Sequence, residues 1–358
     1  VGQQWVLLSD NAQPTEDIYF MSSVAPWLRA QGHSVRHINA SRWSPRMLWP
    51  YLDKWLVGAN ILICRSLSIR WIDYLEAHGR WGALYYLIDD DIAAASEERD
   101  LPEPYRQRMA RIATINQPRI LALADEVVVS SESLWKLFAK QHAHVSLLTP
   151  PYSFICPDQR HFSNERWTMG FHGTRAHLED LNKIAPAIVA AHDKYPSLDV
   201  EIMLGRYTPK LLKGLERLST PKPMDWLVFS NYQRMRRIQI GLVPLWETPF
   251  NRGKSFIKFF DIAAMGGVGI YSNREPYRSL VSHGHDGLLA DDDPQSWLCC
   301  LQLLMENPED AKAMAKKAAE KARVIGNPVG AQHFWRDRIS NERLRNIEAA
   351  PKYHLELK

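Results

Sequence analysis

Twice along this chain, short apolar runs of strand length alternate with segments of helical period, and the alternation stops and restarts around Thr149-Pro150-Pro151. Strands separated by helices of this length build a parallel sheet covered on both faces, so the sequence predicts two α/β domains, each with its own sheet. The length agrees, because 358 residues exceed the size at which one core keeps growing and fit two domains of about 150 to 180 residues. In the first half, strands are predicted at Trp5–Ser9, Ser34–Asn39, Ile61–Arg65, Ala83–Ile88, Glu126–Ser130 and Val145–Leu148. Helices are predicted at Glu16–Ala30, Trp71–His78, Pro104–Ala124 with a division at Pro118, and Glu132–Lys140 capped by Ser131. After the restart, strands fall at Trp167–Phe171, Val200–Leu204, Ile238–Val243 and Val268–Tyr271, and helices at Asp180–His192, Phe256–Met265, Pro294–Glu306 and Pro308–Val324. The plan is a first Rossmann-like domain over residues 1–155, a linker at 156–165, a second such domain over 166–330, and a helical segment at 331–358 that crosses back towards the first.

Composition excludes several classes. Hydrophobic residues at 46 % and charged residues at 23 % rule out a disordered chain. No apolar run reaches bilayer length and no basic, apolar leader opens the sequence, so a cytoplasmic protein is expected. Cys64, Cys156, Cys299 and Cys300 lack C-x-x-C spacing, which suits neither structural zinc nor a disulfide framework. The excess of Lys and Arg over Asp and Glu falls entirely after residue 160, which favours an anionic ligand on the second half, although a basic tail gives the same sum. Basic residues form no aromatic-interleaved stripe, so no nucleic-acid partner is expected.

The strongest local signal runs from Pro244 through Thr248, Asn251, Arg252, Gly253, Lys254 and Ser255 to Lys258. It follows a parallel strand and opens a helix, where backbone amides and a positive helix end can hold a phosphate. Arg252 and Lys254 add charge-assisted hydrogen bonds; a solvent-facing basic loop is the alternative. A Walker loop needs another glycine where Thr248 stands, and the first strand is followed by no G-x-G-x-x-G, so neither ATP nor a tightly held dinucleotide is indicated. Phe171-His172-Gly173-Thr174-Arg175 closes the strand that opens the second domain, pairing close backbone approach at Gly173 with the rigid guanidinium fork of Arg175. His177 and Asp180 read as a turn and cap. Asp89-Asp90-Asp91 ends a first-domain strand, where the three carboxylates stabilise a loop or contact substrate, metal chelation being the weakest reading. Asp261 lies on the buried side of its helix if Ile257, Phe260 and Ala264 mark the apolar stripe, with reach to ribose hydroxyls; an exposed aspartate that stabilises the start of a helix is the alternative. Trp43 to Trp55 is the richest aromatic stretch. Its prolines argue against a long helix, and Trp43 and Trp49 pack under a lid, stack on an acceptor sugar, or meet a membrane surface.

Taken in order, Gln31-Gly32-His33-Ser34-Val35, Asp89-Asp90-Asp91, Phe171 through His177 with Asp180, Thr248-Pro249-Phe250-Asn251 through Lys258, Ala264-Met265-Gly266 through Pro276-Tyr277, and His283-Gly284 with Asp286-Gly287-Leu288-Leu289 resemble the successive signatures of the retaining GT-B glycosyltransferases of the group-1, GT4-like type, in particular a bacterial surface-glycan subgroup. The resemblance covers residue 5 to about 325. It implies a GT-B fold, two Rossmann-like domains facing across a cleft, with a nucleotide-diphosphate sugar on the second and the acceptor on the first. It implies a hexosyl or deoxyhexosyl transfer with retention at the anomeric carbon, to a glycan, lipid-linked or small-molecule acceptor, with no metal or other cofactor and with peripheral contact at the inner face of the membrane. Arg175, Lys254 and Asp90 take the catalytic roles. His172, Gly173, Thr174, Asn251, Arg252, Gly253, Ser255 and Asp261 hold the donor; Asp89, Asp91, Trp43 and Trp49 meet the acceptor. The chain departs from the family pattern where Gly253 occupies the usual position of the first of two glutamates and Asp261 that of the second, and where the phosphate-binding lysine near residue 179 is absent. A GT-B epimerase or phosphorylase, and a binding protein that has lost turnover, remain the alternatives.

Overall fold

The computed structural model describes residues 2–340. They divide into two compact units, one made of the chain up to Asp90, Arg111–Pro151 and the chain from Pro328 onward, the other of Asp91–Ala110 and Tyr152–Asn327. The first unit contains strands β1 (Gln4–Ser9), β2 (Ser34–Asn39), β3 (Asn60–Cys64), β4 (Ala83–Ile88), β5 (Glu126–Val129) and β6 (Val145–Leu147). They form one parallel sheet in the order β2-β1-β3-β4-β5-β6. The second unit contains β7 (Trp167–Phe171), β8 (Leu198–Ile202), β9 (Leu218–Ser219), β10 (Ile240–Val243), β11 (Val268–Ser272) and β12 (Leu288–Ala290), also parallel, in the order β12-β11-β10-β7-β8-β9. Every residue of β4, β10 and β11 is buried, as strands covered by helices on both faces must be. The architecture is therefore two Rossmann-like units, the GT-B class, as the alternation requires.

Proline decides where the helices differ from the periodic reading. The Glu16–Ala30 stretch resolves into a π turn, Asp17–Met21, and a short helix, Ala25–Ala30, in which Pro26 has no N–H to continue an earlier ladder. Residues 103–123 run as Glu103–Arg111, a π turn at Ile112–Asn116 and Gln117–Leu123, with the widened turn just ahead of Pro118, whose ring would strike the carbonyl four residues back. Against expectation, the Trp-rich stretch forms a regular helix, Pro45–Leu56. Pro45 stands at its first position, where an N–H has no partner anyway, and both Pro50 and Arg46, whose carbonyl it frees, face water. The helices Ile92–Glu97 and Trp226–Met235 and the strands β9 and β12 were not read from the sequence; Ile92–Glu97, β9 and β12 are only six, two and three residues long.

Ser131 caps its helix through a hydrogen bond from the Leu134 amide. The helix Pro328–Ser340 is the described part of the C-terminal segment; residues 341–358 lie outside the described residues. It belongs to the first unit, where Trp335 is fully buried edge-on to Trp5, Phe20 and Tyr85 at 5.3 to 5.6 Å between ring centroids. Arg338 grips Glu126 of β5 with both prongs of its guanidinium, one of them at 2.8 Å.

Candidate functional site

In the second sheet the strand order reverses at β7, with β8 on one side and β10 on the other. Ligands of open parallel sheets bind outside the carboxyl ends of strands at such a reversal. The two loops singled out in the sequence, 172–177 after β7 and 244–256 after β10, flank it. Gly241 in β10 lets the helix Ile257–Ala264 lie close to the sheet, since a Cβ there would stand 2.4 Å from the Ile262 side chain.

Arg175 opens a short 3-10 turn after β7 and is exposed. Its guanidinium lies 3.8 Å from the centroid of the Tyr207 ring, and no carboxylate neutralises it among the described residues. Beside Tyr207, Gly205, Arg206, Thr208 and Lys213 help line an open pocket of about 420 Å³. Lys254 sits over the Phe250 ring at 3.9 Å. Gly173 is required by its surroundings, because a Cβ would meet the Phe171 ring at 2.4 Å; Thr174 beside it is exposed. Arg252 points to solvent in an ion pair with Glu247, which Arg274 also holds. Gly253 ends the four-residue helix Pro249–Arg252 with a φ of −74°, a conformation open to any residue, and Ser255 is half-buried just before the next helix.

Asn251 is 4 % exposed and turned inward. Its Nδ2 donates to both oxygens of Asp180 at 3.2 Å and to the Trp246 carbonyl at 2.9 Å, while Oδ1 is buried without a hydrogen-bond partner. Asp180 also accepts from the Trp246 amide and lies 3.0 Å from His177 Nδ1, so this buried cluster ties the 244–256 loop to the helix Leu178–Lys194.

Asp261 is 2 % exposed and already engaged. Its Oδ1 accepts from the Tyr152 hydroxyl at 2.8 Å and Gln233 Nε2 at 2.7 Å, and Oδ2 accepts from Lys258 at 2.8 Å. Burial and the adjacent Asp261 charge push the Tyr152 phenol well above its ordinary range. Lys258 also donates to the His172 carbonyl at 2.6 Å, joining the helix to the end of β7. His172 itself is buried, its Nε2 2.7 Å from Glu201 on β8. Glu201 also accepts from the Tyr232 hydroxyl and from Arg236 at 2.7 Å. Burial alone would raise the Glu201 carboxyl; the three hydrogen bonds outweigh it and hold the group down at about 2.

Glu201, Tyr232, Gln233 and Tyr152 are the residues that sequence reasoning missed, and Lys258 was placed in the loop signal without a role. Lys258 and Asp261 stand three apart on one helix, a legible ion-pair spacing. Gln233 and Tyr232 come from the unread helix Trp226–Met235.

In the first unit, Asp89 accepts from Thr15 at 2.6 Å and is 3.3 Å from Arg65, and Asp90 is paired with Arg65 at 2.6 Å. Asp91, which belongs to the second unit, caps the helix Ile92–Glu97 by accepting the Ala94 amide. No group of three or more His, Cys, Asp or Glu converges on a common metal position among the described residues. Trp43 and Trp49 lie at the surface, 39 % and 64 % exposed, Trp49 edge-on to His78, rather than under a lid. No helix among the described residues is long and apolar enough to cross a membrane.

No family model matches the chain. It is 22 % identical over 349 residues to the D-inositol 3-phosphate glycosyltransferase of Corynebacterium urealyticum, covering 88 % of this chain and 74 % of that protein. Among solved structures, sucrose-phosphate synthase of Thermosynechococcus elongatus matches with a TM-score of 0.67 at 16 % identity, covering 94 % of this chain and all of the other. Anabaena HepE in complex with UDP-glucose matches with a TM-score of 0.64 at 12 % identity, again over 94 % of this chain and the whole of the other. At these identities what the structures share with the chain is its fold, two Rossmann-like units of the GT-B class.

Proposed function

We propose that the chain transfers a sugar, with retention, from a nucleotide-diphosphate donor to a hydroxyl of a glycan, lipid-linked or small-molecule acceptor. The observation that carries this reading is the pair of loops at the β7/β10 reversal, with an exposed Arg175 that no carboxylate neutralises among the described residues. Such a cation suits a diphosphate, whose negative charge grows as the bond to the anomeric carbon breaks. Lys254 and the backbone amides leading into the helix Ile257–Ala264 complete the cradle, with His172, Gly173, Thr174 and Ser255 around it. Asn251 Oδ1, buried and lacking a donor, takes the sugar-hydroxyl contact that Gly253 cannot make. Asp261 meets a ribose hydroxyl through the remaining lone pair of Oδ2, beside Lys258, and Arg252 contributes through the N–H groups that Glu247 does not hold. Asp90, paired with Arg65, takes a catalytic role; Asp89, also held by Arg65, and the exposed Trp43 and Trp49 serve the acceptor, and Asp91 acts through its helix cap. No metal or other cofactor is needed in this scheme, and the location it carries is cytoplasmic, at the inner face of the membrane for a lipid-linked acceptor. The similarity to HepE bound to UDP-glucose and to a glycosyltransferase acting on D-inositol 3-phosphate supports the donor and the reaction.

The test is a panel of UDP, GDP and dTDP sugars read by thermal stabilisation and product mass, repeated with Arg175→Ala and Lys254→Ala. Each substitution should weaken nucleotide-diphosphate binding about tenfold or more while leaving the nucleoside within about twofold. Equal losses for both ligands defeat the phosphate assignment. Tight donor binding with no transferred product favours the second reading, a binding protein without turnover, which Gly253 in the usual glutamate position motivates.

A further inference from the structure

In the nucleotide-donor reading Asp261 is the acid that meets the nucleotide's ribose, yet all but one of its acceptor positions are already taken. A carboxylate offers a lone pair on either side of each oxygen. On Oδ1 both are filled, by the Tyr152 hydroxyl at 2.8 Å and by Gln233 Nε2 at 2.7 Å. On Oδ2 one is filled, by Lys258 at 2.8 Å, and one remains. The Tyr152 hydroxyl also lies 2.8 Å from Gln233 Oε1, but its single proton goes to the charged oxygen, the stronger acceptor. Both donors to Oδ1 are locked in place. Tyr152 and Gln233 are 9 % and 3 % exposed, the Tyr152 ring stacks on Phe260 with centroids 5.3 Å apart, and its backbone amide donates to the Gly326 carbonyl at 2.7 Å.

Ribose presents two neighbouring hydroxyls, and a carboxylate that selects it receives one on each oxygen. Asp261 has no position left on Oδ1 for the second. The buried Asp180 and Glu201 of the same unit are likewise held by donors of their own, Asp180 by Asn251 and the Trp246 amide, Glu201 by Tyr232 and Arg236. We infer that the second unit accepts 2′-deoxyribonucleoside diphosphates as readily as ribonucleoside diphosphates, because Tyr152 and Gln233 occupy the Asp261 oxygen that a ribose clamp needs. A site rejects an analogue lacking a hydroxyl when the loss strands one of its own buried polar groups. Here the 3′-hydroxyl still serves Oδ2, and nothing is stranded. The sugar ring then sets no bar to thymidine diphosphate donors. This specificity rests on the nucleotide-donor reading of the same loops and names a donor class that the reading leaves open.

Calorimetric titration of the full chain with the pairs UDP and dUDP, GDP and dGDP, and ADP and dADP isolates the 2′-hydroxyl, the one group that differs within each pair. In whichever pair binds, the two members should agree within about threefold. In Tyr152→Phe, which keeps the ring and frees a lone pair on Oδ1, the ribonucleotide should gain a preference of about fivefold or more over its deoxy partner. The wild-type comparison needs no variant, so it stands even if the substitution unfolds the chain. A deoxy member weaker by about tenfold or more in the wild type overturns the inference while leaving nucleotide binding intact. A folded Tyr152→Phe with the wild-type ratio overturns it too, since Oδ1 would then not set the specificity. Binding of no nucleotide in any pair sinks the donor reading, and this specificity with it.

Discussion

Glu201 is where burial and hydrogen bonding oppose each other most plainly. It is 4 % exposed, yet hydrogen bonds from His172, Tyr232 and Arg236 hold its carboxyl well below the ordinary 4.5, at about 2. A folded-state value below the unfolded one means stability that is present above pH ~4.5 and is lost as pH falls towards 2. The whole effect is worth up to about 3 kcal/mol. Thermal melts at pH ~5 and ~3 should therefore show a larger drop for the wild type than for Glu201→Gln; parallel drops would mean that the three donors do not hold the charged form. His172 was legible because it closes a strand of clear apolar pattern, whereas Glu201 was not, since its three donors come from positions 29 or more residues away or from an unread helix.

At the scale of elements, the helix Pro328–Ser340 is held to the first unit by two different means, Trp335 in the aromatic cluster and Arg338 on Glu126. The ion pair is nearly dry, 12 % and 10 % exposed at its two side chains, so removing one partner strands a buried charge. Arg338→Ala should cost about 3 to 5 kcal/mol by urea unfolding, and adding Glu126→Gln should recover part of it. A loss below about 1 kcal/mol would show the pair to be solvated. Apart from β9 and β12, strand positions were read within two residues because a short continuous apolar run is a local signal. The Pro45–Leu56 helix was misread for the opposite reason, since whether a proline breaks a helix depends on where the freed carbonyl points, and Arg46 points to water.

For the whole molecule, two sheets with two cores predict unfolding that is not a single two-state step. Calorimetry should resolve two transitions, and Arg338→Ala should lower the one belonging to the first unit. UDP at about a hundred times its Kd adds about 2.7 kcal/mol to whatever binds it, and should raise the other transition by about 5 to 10 °C. UDP raising the transition that Arg338→Ala lowers would move the nucleotide to the first unit and end the donor assignment.

By itself, the sequence determined the number of sheets, their parallel strands and the loops at the strand ends where anions and sugars can be met, because apolar period, turn residues and charge are written within a few neighbouring positions. Tertiary structure decided which of those charges are spoken for: Arg252 to Glu247, Asp90 to Arg65 and Asp261 to three donors, against an Arg175 that no carboxylate neutralises among the described residues. It also gave Asp91–Ala110 to the second unit although the chain enters it from a strand of the first. The physical reason is the same in each case: a hydrogen bond or ion pair is fixed by distances of about 3 Å between groups that folding brings together from far along the chain, and no local pattern records them.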